Sequence, residues 1–249
     1  MKCNRWCICG YSNHVYYWKP DAGINRLSRE FKSLAVKACT KKEVTIKYLW
    51  ITIYAAFLIW SGINPKDSFT WFLEVIPAII GAVVLALTYR SFRLTPLVYT
   101  LILIHCIILM IGGHFTYAEV PFFDYLKEVF GFTRNNYDKV GHFAQGFVPA
   151  LIAREIVLRK NIIQGTGWQT FFIVSFCLGF SAFYELTEWW VALATGDTAE
   201  AFLGIQGYKW DTQSDMGFAL MGAIVGLLSL SKLHDRQLQA RQNTFEHID

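Results

Sequence analysis

Six long apolar stretches constrain this 249-residue chain more than any other feature of its sequence. Crossing the hydrocarbon core of a membrane takes about 20 mostly apolar residues, and these fold as a helix because lipid offers the backbone no hydrogen-bond partner. The stretches are residues 48–63, 71–89, 94–113, 140–158, 170–194 and 215–230. They predict an all-α, polytopic membrane helix bundle with about six transmembrane helices.

The composition supports this class and excludes several others. Hydrophobic residues make up 54% of the chain and charged residues only 17%, whereas about 25% of the residues in a typical soluble domain are charged. Such a chain is too apolar for a disordered region, a nucleic-acid-binding tail or a secreted disulfide mini-protein. We therefore expect the lipid bilayer, and no nucleic acid, as the partner of this chain.

The distribution of basic residues predicts the orientation of the helices. Residues 1–47 hold ten Lys and Arg against three acids, whereas residues 48–249 hold thirteen against sixteen. Because positive charge is concentrated in the cytoplasmic segments of membrane proteins, we expect both termini in the cytoplasm. The chain then divides into a basic cytoplasmic segment at 1–44, a six-helix transmembrane domain at 45–231 and a short cytoplasmic tail at 232–249.

The loop between the third and fourth spans, about residues 113–139, is the longest connection on the opposite, outer side. It combines Pro121 and several aromatic residues with a polar turn before the next helix. This mixture is typical of a segment that lies in the membrane interface or re-enters the bilayer.

Ionisable side chains inside membrane spans are costly and are usually functional. Seven of them, from four predicted helices, fall in one layer near the outer side. They are His114, Asp138, His142, Glu185, Glu188, Asp211 and Asp215. Residues three or four apart share a helical face, so the layer contains neighbouring carboxylates that repel one another unless a cation, a shared proton or a nearby Arg or Lys relieves them.

This arrangement leads to two predicted roles. Histidine combined with several carboxylates suits a divalent metal ion, and we expect His114, Asp138, His142, Asp211 and Asp215 to be the metal ligands. We expect Glu185 and Glu188 to be the catalytic carboxylates, one of them acting as a general base.

Simpler roles compete for some of these residues. Asp138 and Asp211 stand at predicted helix starts, where an acid caps free backbone N–H groups. His114 is also explained as a hydrated histidine at the membrane interface. We expect Asp67 and Glu74, which border a short loop, to be solvated.

Two weaker signals lie outside the layer. Cys3, Cys7 and Cys9, followed by His14, could hold a metal ion, although their spacing matches no standard zinc motif. Ser181 could act as a nucleophile, but no nucleophile-elbow motif surrounds it.

Four motifs in order resemble the YjdF-like family of bacterial inner-membrane proteins. They are residues 113–118 (GHFTYA), 136–146 (NYDKVGHFAQG), 184–189 (YELTEW) and 211–216 (DTQSDM). The resemblance covers about residues 45–230 and leaves the basic, Cys-containing leader outside it. It implies a multi-pass protein of the bacterial inner membrane.

A fainter resemblance is to VanZ-like proteins, which are associated with glycopeptide resistance. The start of the fourth helix, Asp138-Lys139-Val140-Gly141-His142-Phe143, and the Asp211/Asp215 pair are similar to elements of that family. The Glu185/Glu188 pair departs from its pattern, so the resemblance implies no role for these two glutamates.

Three functions are compatible with the sequence. The leading hypothesis is an outer polar site that holds a divalent metal ion and acts on a lipid-linked envelope substrate. The alternatives are a non-catalytic membrane scaffold, in which the polar layer specifies helix packing, and a proton- or cation-coupled transporter. The sequence fixes neither the oligomeric state nor the identity of the metal.

Overall fold

The computed structural model describes residues 44–196, 200–203 and 206–246. The chain divides into two compact units, residues 1–49 and 50–249, and the site described below belongs to the second. The proposed cysteine cluster near the N-terminus lies outside the described residues. Within the described ranges the regular structure is helical throughout, so the prediction of an all-α bundle is confirmed.

Within the described part of the chain, five helices are long and apolar enough to cross a membrane. They are α1 (Val44–Gly62), α2 (Ser68–Thr88), α3 (Pro96–Phe115), α6 (Thr166–Thr195) and α8 (Asp211–Glu246). Between them lie a 3-10 turn at Tyr117–Glu119 and three further helices, α4 (Pro121–Phe130), α5 (Tyr137–Lys160) and α7 (Glu200–Leu203). Helix α8 continues well beyond the predicted end of the sixth span, because residues 231–246 are mostly polar residues that favour a helix.

The fourth predicted span corresponds to α5, a helix of 24 residues. It does not reach the apolarity of the other five because polar residues interrupt it, among them His142, Gln145 and Glu155. Its place as a sixth span therefore stays a prediction, as does the cytoplasmic location of both termini.

Helix α5 occupies the centre of the bundle and packs against α3, α6 and α8. Its crossing with α8 is close because glycines on both helices bring the backbones together. A Cβ atom at Gly146 would overlap the backbone of Ala219, and one at Gly222 would overlap the carbonyl oxygen of Phe143. Small residues at such positions are how membrane helices gain tight packing.

The short loop between α1 and α2 ends in a helix cap. The side chain of Asp67 accepts a hydrogen bond of 2.6 Å from the backbone N–H of Thr70. This bond holds the pKa of the Asp67 carboxyl below its usual value, since the bond favours the charged form.

Helix α4 exposes a row of aromatic side chains, which includes Phe122, Tyr125 and Phe130. The adjoining loop is fixed by Asn135, whose side-chain amide donates to the carbonyl of Val120 at 3.0 Å. An exposed aromatic face is what an interfacial helix presents to lipid, and the interfacial placement of this segment remains our interpretation.

Candidate functional site

The centre of the polar layer is a group of three buried side chains from α5 and α8. His142 Nε2 lies 3.2 Å from Asp138 Oδ1 and 3.9 Å from Asp215 Oδ1. One ligand atom from each of the three residues falls within 4.8 Å of the others. The i,i+4 spacing of Asp138 and His142 places both on one face of α5, as the sequence predicts.

Two basic residues lie inside the layer. Lys139 Nζ is 2.5 Å from Asp215 Oδ1 and 2.7 Å from Asp211 Oδ1. Arg134 contacts Asp211 and lies 3.3 Å from Asp138 Oδ2. Sequence reasoning assigned both cations to the flanking outer loop and missed this role. The i,i+4 spacing of Arg134 and Asp138 is the signal that could have revealed it.

The third helix of the site is α6, which contributes Glu185. Its carboxylate atom Oε1 lies 3.7 Å from His142 Nδ1 and has no hydrogen-bond partner among the described residues. The hydroxyl of Ser181, one turn away on the same buried stripe, is also without a partner in the described part of the chain. Gln145 Oε1 lies 3.1 Å from His142 Nδ1. Buried polar atoms without partners are uncommon and require an explanation.

Helix α2 brings Glu74 to the same layer. The expectation that Glu74 is solvated is wrong, because its side chain is only 4% exposed. The hydroxyl of Tyr184, on α6, donates to Glu74 Oε2 at 3.3 Å. Sequence reasoning missed this role because the proximity of α2 and α6 follows from the bundle packing and not from any local pattern.

The remaining predicted residues lie at different distances from the centre. Asp211 begins α8 and contacts both cations. Glu188 is half-buried one turn from Glu185. His114 lies at the end of α3, with Nδ1 3.0 Å from the carbonyl oxygen of Ser61 and its ring 4.5 Å from that of Trp60. These contacts place His114 beside α1 and outside the buried group of Asp138, His142 and Asp215.

The layer contains more acids than bases. Among the residues that the structure describes, six carboxyl groups stand against two permanent cations, Arg134 and Lys139, with His142 as a third basic group. The carboxyls are those of Glu74, Asp138, Glu185, Glu188, Asp211 and Asp215. Because unpaired carboxylates in a low dielectric are costly, the excess has to be relieved by protons or by a bound cation.

A second polar cluster lies toward the other end of α5. The buried carboxylate of Glu155 accepts hydrogen bonds from the Thr95 backbone N–H at 3.0 Å and from Arg159 at 2.9 Å, and it lies 3.1 Å from His234 Nε2. Glu155 therefore caps the start of α3 and joins it to α5 and α8. Sequence reasoning did not foresee this cluster, because Glu155 and His234 are 79 residues apart.

Comparison with known proteins places the chain in a family. Residues 46–236 match the family described as "Predicted membrane protein (DUF2238)". The chain belongs to this family of membrane proteins. It is also 51% identical, over 182 residues, to the inner membrane protein YjdF of Escherichia coli strain K12, and the match covers 73% of this chain and 87% of the relative. No solved structure matches the chain.

These findings confirm the resemblance to YjdF-like proteins drawn from the four motifs. They also establish that the DUF2238 chain is a multi-pass protein of the bacterial inner membrane. The family match begins at residue 46, after the basic leader, and so leaves the leader outside it, as the motifs do.

Proposed function

We propose that this membrane protein binds a divalent metal ion through Asp138, His142 and Asp215 and uses Glu185 to activate water against a lipid-linked envelope substrate. The observation that carries the proposal is the buried group of one imidazole and two carboxylates, with ligand atoms within 4.8 Å of one another. Oxygen and nitrogen donors of this kind suit hard or borderline divalent ions.

The surroundings of His142 support its role as a ligand. Its Nδ1 faces Gln145 Oε1 at 3.1 Å, and a hydrogen bond donated by Nδ1 leaves the lone pair of Nε2 free for a metal. Metal-binding histidines are usually oriented in this way by an outer partner. The proposed set omits His114, whose contacts are with α1, and Asp211, which neutralises Lys139 and Arg134.

Lys139 is the principal competitor of the metal ion. Its ammonium group lies 2.5 Å from Asp215 Oδ1, so the ion either takes the other carboxylate oxygen or displaces the ammonium toward Asp211. The excess of acids in the layer favours an additional cation, because Lys139 and Arg134 do not balance six carboxyl groups.

The proposed chemistry is the hydrolysis of an ester. A bound divalent ion lowers the pKa of water and polarises the ester. The water oxygen would bond to the electrophilic atom of the ester while one of its protons passes to Glu185. The bond from that atom to the alcohol oxygen would then break, and the proton on Glu185 would move to the departing oxygen. The free Oε1 atom of Glu185 provides the lone pair for this transfer, and Glu188 lies one turn away on the same helix.

Metal analysis of the purified full chain tests the proposal. We expect about one divalent ion per chain in the wild type and its loss in Asp215→Asn and His142→Ala, because each removes a donor from a three-residue site. Glu128→Gln, a change in an exposed acid of α4, serves as the matched control and keeps the ion. Absence of metal from the wild type, or an unchanged content in Asp215→Asn, refutes the metal site.

A second candidate function is the non-catalytic scaffold, which the ion pairs of Asp211 favour. Asp211 contacts both Arg134 and Lys139, so it connects the loop before α5 with the start of α8. If the layer serves only to fix this packing, Asp211→Asn lowers the unfolding temperature of the protein and the wild type contains no metal. Cells that carry Glu185→Gln then have the same phenotype as cells that carry the wild-type protein.

A further inference from the structure

An apolar groove runs along the seam between α5 and α6, and its cavity volume is about 520 Å³. Helix α5 lines it with residues that include Pro149, Ile152 and Ile156, and helix α6 lines it with Phe172, Phe176 and Phe180. Ile156 and Phe176 are 39% and 56% exposed, so the groove is open on the side that faces lipid.

Both walls of the groove lead to the polar site. On α6 the wall residues repeat every four positions, and the next position after Phe180 is Tyr184, whose ring centre lies 6.3 Å from that of His142. On α5 the position one turn before Pro149 is Gln145, which contacts His142. Because residues four apart share a helical face, the groove and the site are two parts of the same seam.

The junction between groove and site contains two of the four buried side-chain polar atoms that have no hydrogen-bond partner among the described residues. Ser181 is fully buried and Glu185 is 7% exposed, and their free oxygen atoms stand on neighbouring turns of α6. A ligand would provide the missing hydrogen-bond partners of these atoms if its polar group lay between the apolar groove and the carboxylates.

The length of the groove limits the kind of chain that fits it. Phe172 lies twelve residues before Tyr184, about 18 Å along the axis of α6, and seventeen residues before the interfacial Trp189, about 26 Å. Half of the hydrocarbon core is about 15 Å thick. A chain that begins at the polar site and fills the groove therefore passes the midplane of the bilayer.

We propose that the groove binds the single long chain of a polyisoprenoid-type lipid phosphate whose head lies at the site of His142 and Glu185. This inference rests on the proposed function, because it names the substrate class of that same site. An ordinary phospholipid has two chains, each confined to one leaflet. It therefore fills the groove less completely than a single long chain does. From Tyr184 to Phe172 the seam runs about 18 Å along α6, more than the roughly 15 Å of one leaflet, and this length suits a single longer chain.

Photolabelling tests the proposal on the full chain in phosphatidylcholine nanodiscs. The probe is undecaprenyl phosphate that carries a diazirine on its chain, and the competitors are unlabelled undecaprenyl phosphate, farnesyl phosphate and phosphatidylglycerol. We expect the label on residues that line the groove and competition by undecaprenyl phosphate alone. Equal competition by the short-chain farnesyl phosphate or by phosphatidylglycerol overturns the proposal.

Ile156→Trp narrows the groove at an exposed position, and Leu228→Trp, at a site on α8 that is 81% exposed, is the matched control. We expect labelling to fall about tenfold in Ile156→Trp and to stay unchanged in Leu228→Trp. A tenfold loss of affinity corresponds to about one or two methylene groups of the lipid chain that lose their contact with the groove. A second variant, Phe172→Ala, widens the end of the groove that is far from the polar site. We expect fewer labelled residues at that end of the groove in this variant. Unchanged labelling in both groove variants overturns the proposal.

Metal content measured on the same samples separates this inference from the proposed function. One metal ion per chain without chain-length selectivity refutes the groove proposal alone. Long-chain labelling by a protein that holds no metal refutes the metal site alone.

Discussion

The substitution Gly222→Ala tests how closely α5 and α8 must approach. A Cβ atom at this position would overlap the carbonyl oxygen of Phe143 and lie 3.0 Å from the backbone nitrogen of Phe147. Ordinary van der Waals contact begins at 3.4 Å, and the obstructing atoms belong to the backbone, so rotation of a side chain gives no relief. The two helices must move apart by roughly 1 Å.

The cost of this separation can be estimated from overpacked protein cores, where an added methylene typically costs about 1–3 kcal/mol. Gly217→Ala is the matched control on the same helix, because nothing lies within 4 Å of a Cβ atom there. In that variant the better helix propensity of alanine stabilises the protein by up to about 1 kcal/mol. Gly222→Ala gains the same propensity because Gly222 lies in the same helix, so the two variants should differ in stability by the overpacking cost.

Unfolding of the purified protein in detergent, followed by the fluorescence of its nine tryptophans, measures the difference. We expect Gly222→Ala to be the less stable of the two by about 1–3 kcal/mol, which is the overpacking cost alone. Asp215 lies two turns from Gly222 on the same face of α8, so metal content should fall as well. If Gly222→Ala is as stable as Gly217→Ala, the close crossing of α5 and α8 is wrong.

Three further predictions concern the caps and the site. Asp67→Ala should destabilise the protein by about 1 kcal/mol at neutral pH through loss of the helix cap. Because the pKa of Asp67 is lowered in the folded state, its charge stabilises the fold above the usual pKa of about 3.9, and a pH series of unfolding should show the difference from wild type narrowing as pH falls below that value. Glu155→Ala removes the partner of Arg159 and His234 and should cost about 3–5 kcal/mol, whereas the exposed control Glu128→Ala stays within about 0.5 kcal/mol in the same unfolding assay. Chelation by EDTA should lower the unfolding temperature of the wild type and leave that of Asp215→Asn unchanged. The free energy of unfolding of the wild type should fall by about 2.7 kcal/mol if metal is present at a hundredfold excess over Kd. An equal response of both proteins to EDTA contradicts a metal bound at Asp215.

The sequence predicted the elements whose signal is local. Long apolar runs are sufficient to identify α1, α2, α3, α6 and α8, since lipid selects helices by length and apolarity. The i,i+4 pairs in the sequence likewise predicted that Asp138 and His142 share a face. Both signals depend on spacing along one segment, which is visible without any knowledge of packing.

The contacts that escaped prediction join distant segments. Glu74 reaches Tyr184 from a position 110 residues away, and Lys139 reaches Asp215 from 76 residues away. Arg134 lies in the polar turn of the outer loop, and no local pattern in the sequence links it with Asp211. Arg134 contacts Asp211 because the loop before α5 folds back toward the start of α8.

The polar character of α5 has a consequence for how the protein enters the membrane during synthesis. A helix with His142, Gln145, Arg154 and Glu155 partitions poorly into lipid when it emerges alone, because each charged residue opposes insertion. Protein segments that follow must shelter it: α6 faces His142, and α8 provides the partners of Glu155 and Arg154. If α5 spans the membrane, as we predict, it gains these partners only after α8 has been synthesised. A chain truncated before Asp211 should leave α5 unsheltered and be removed by membrane quality control.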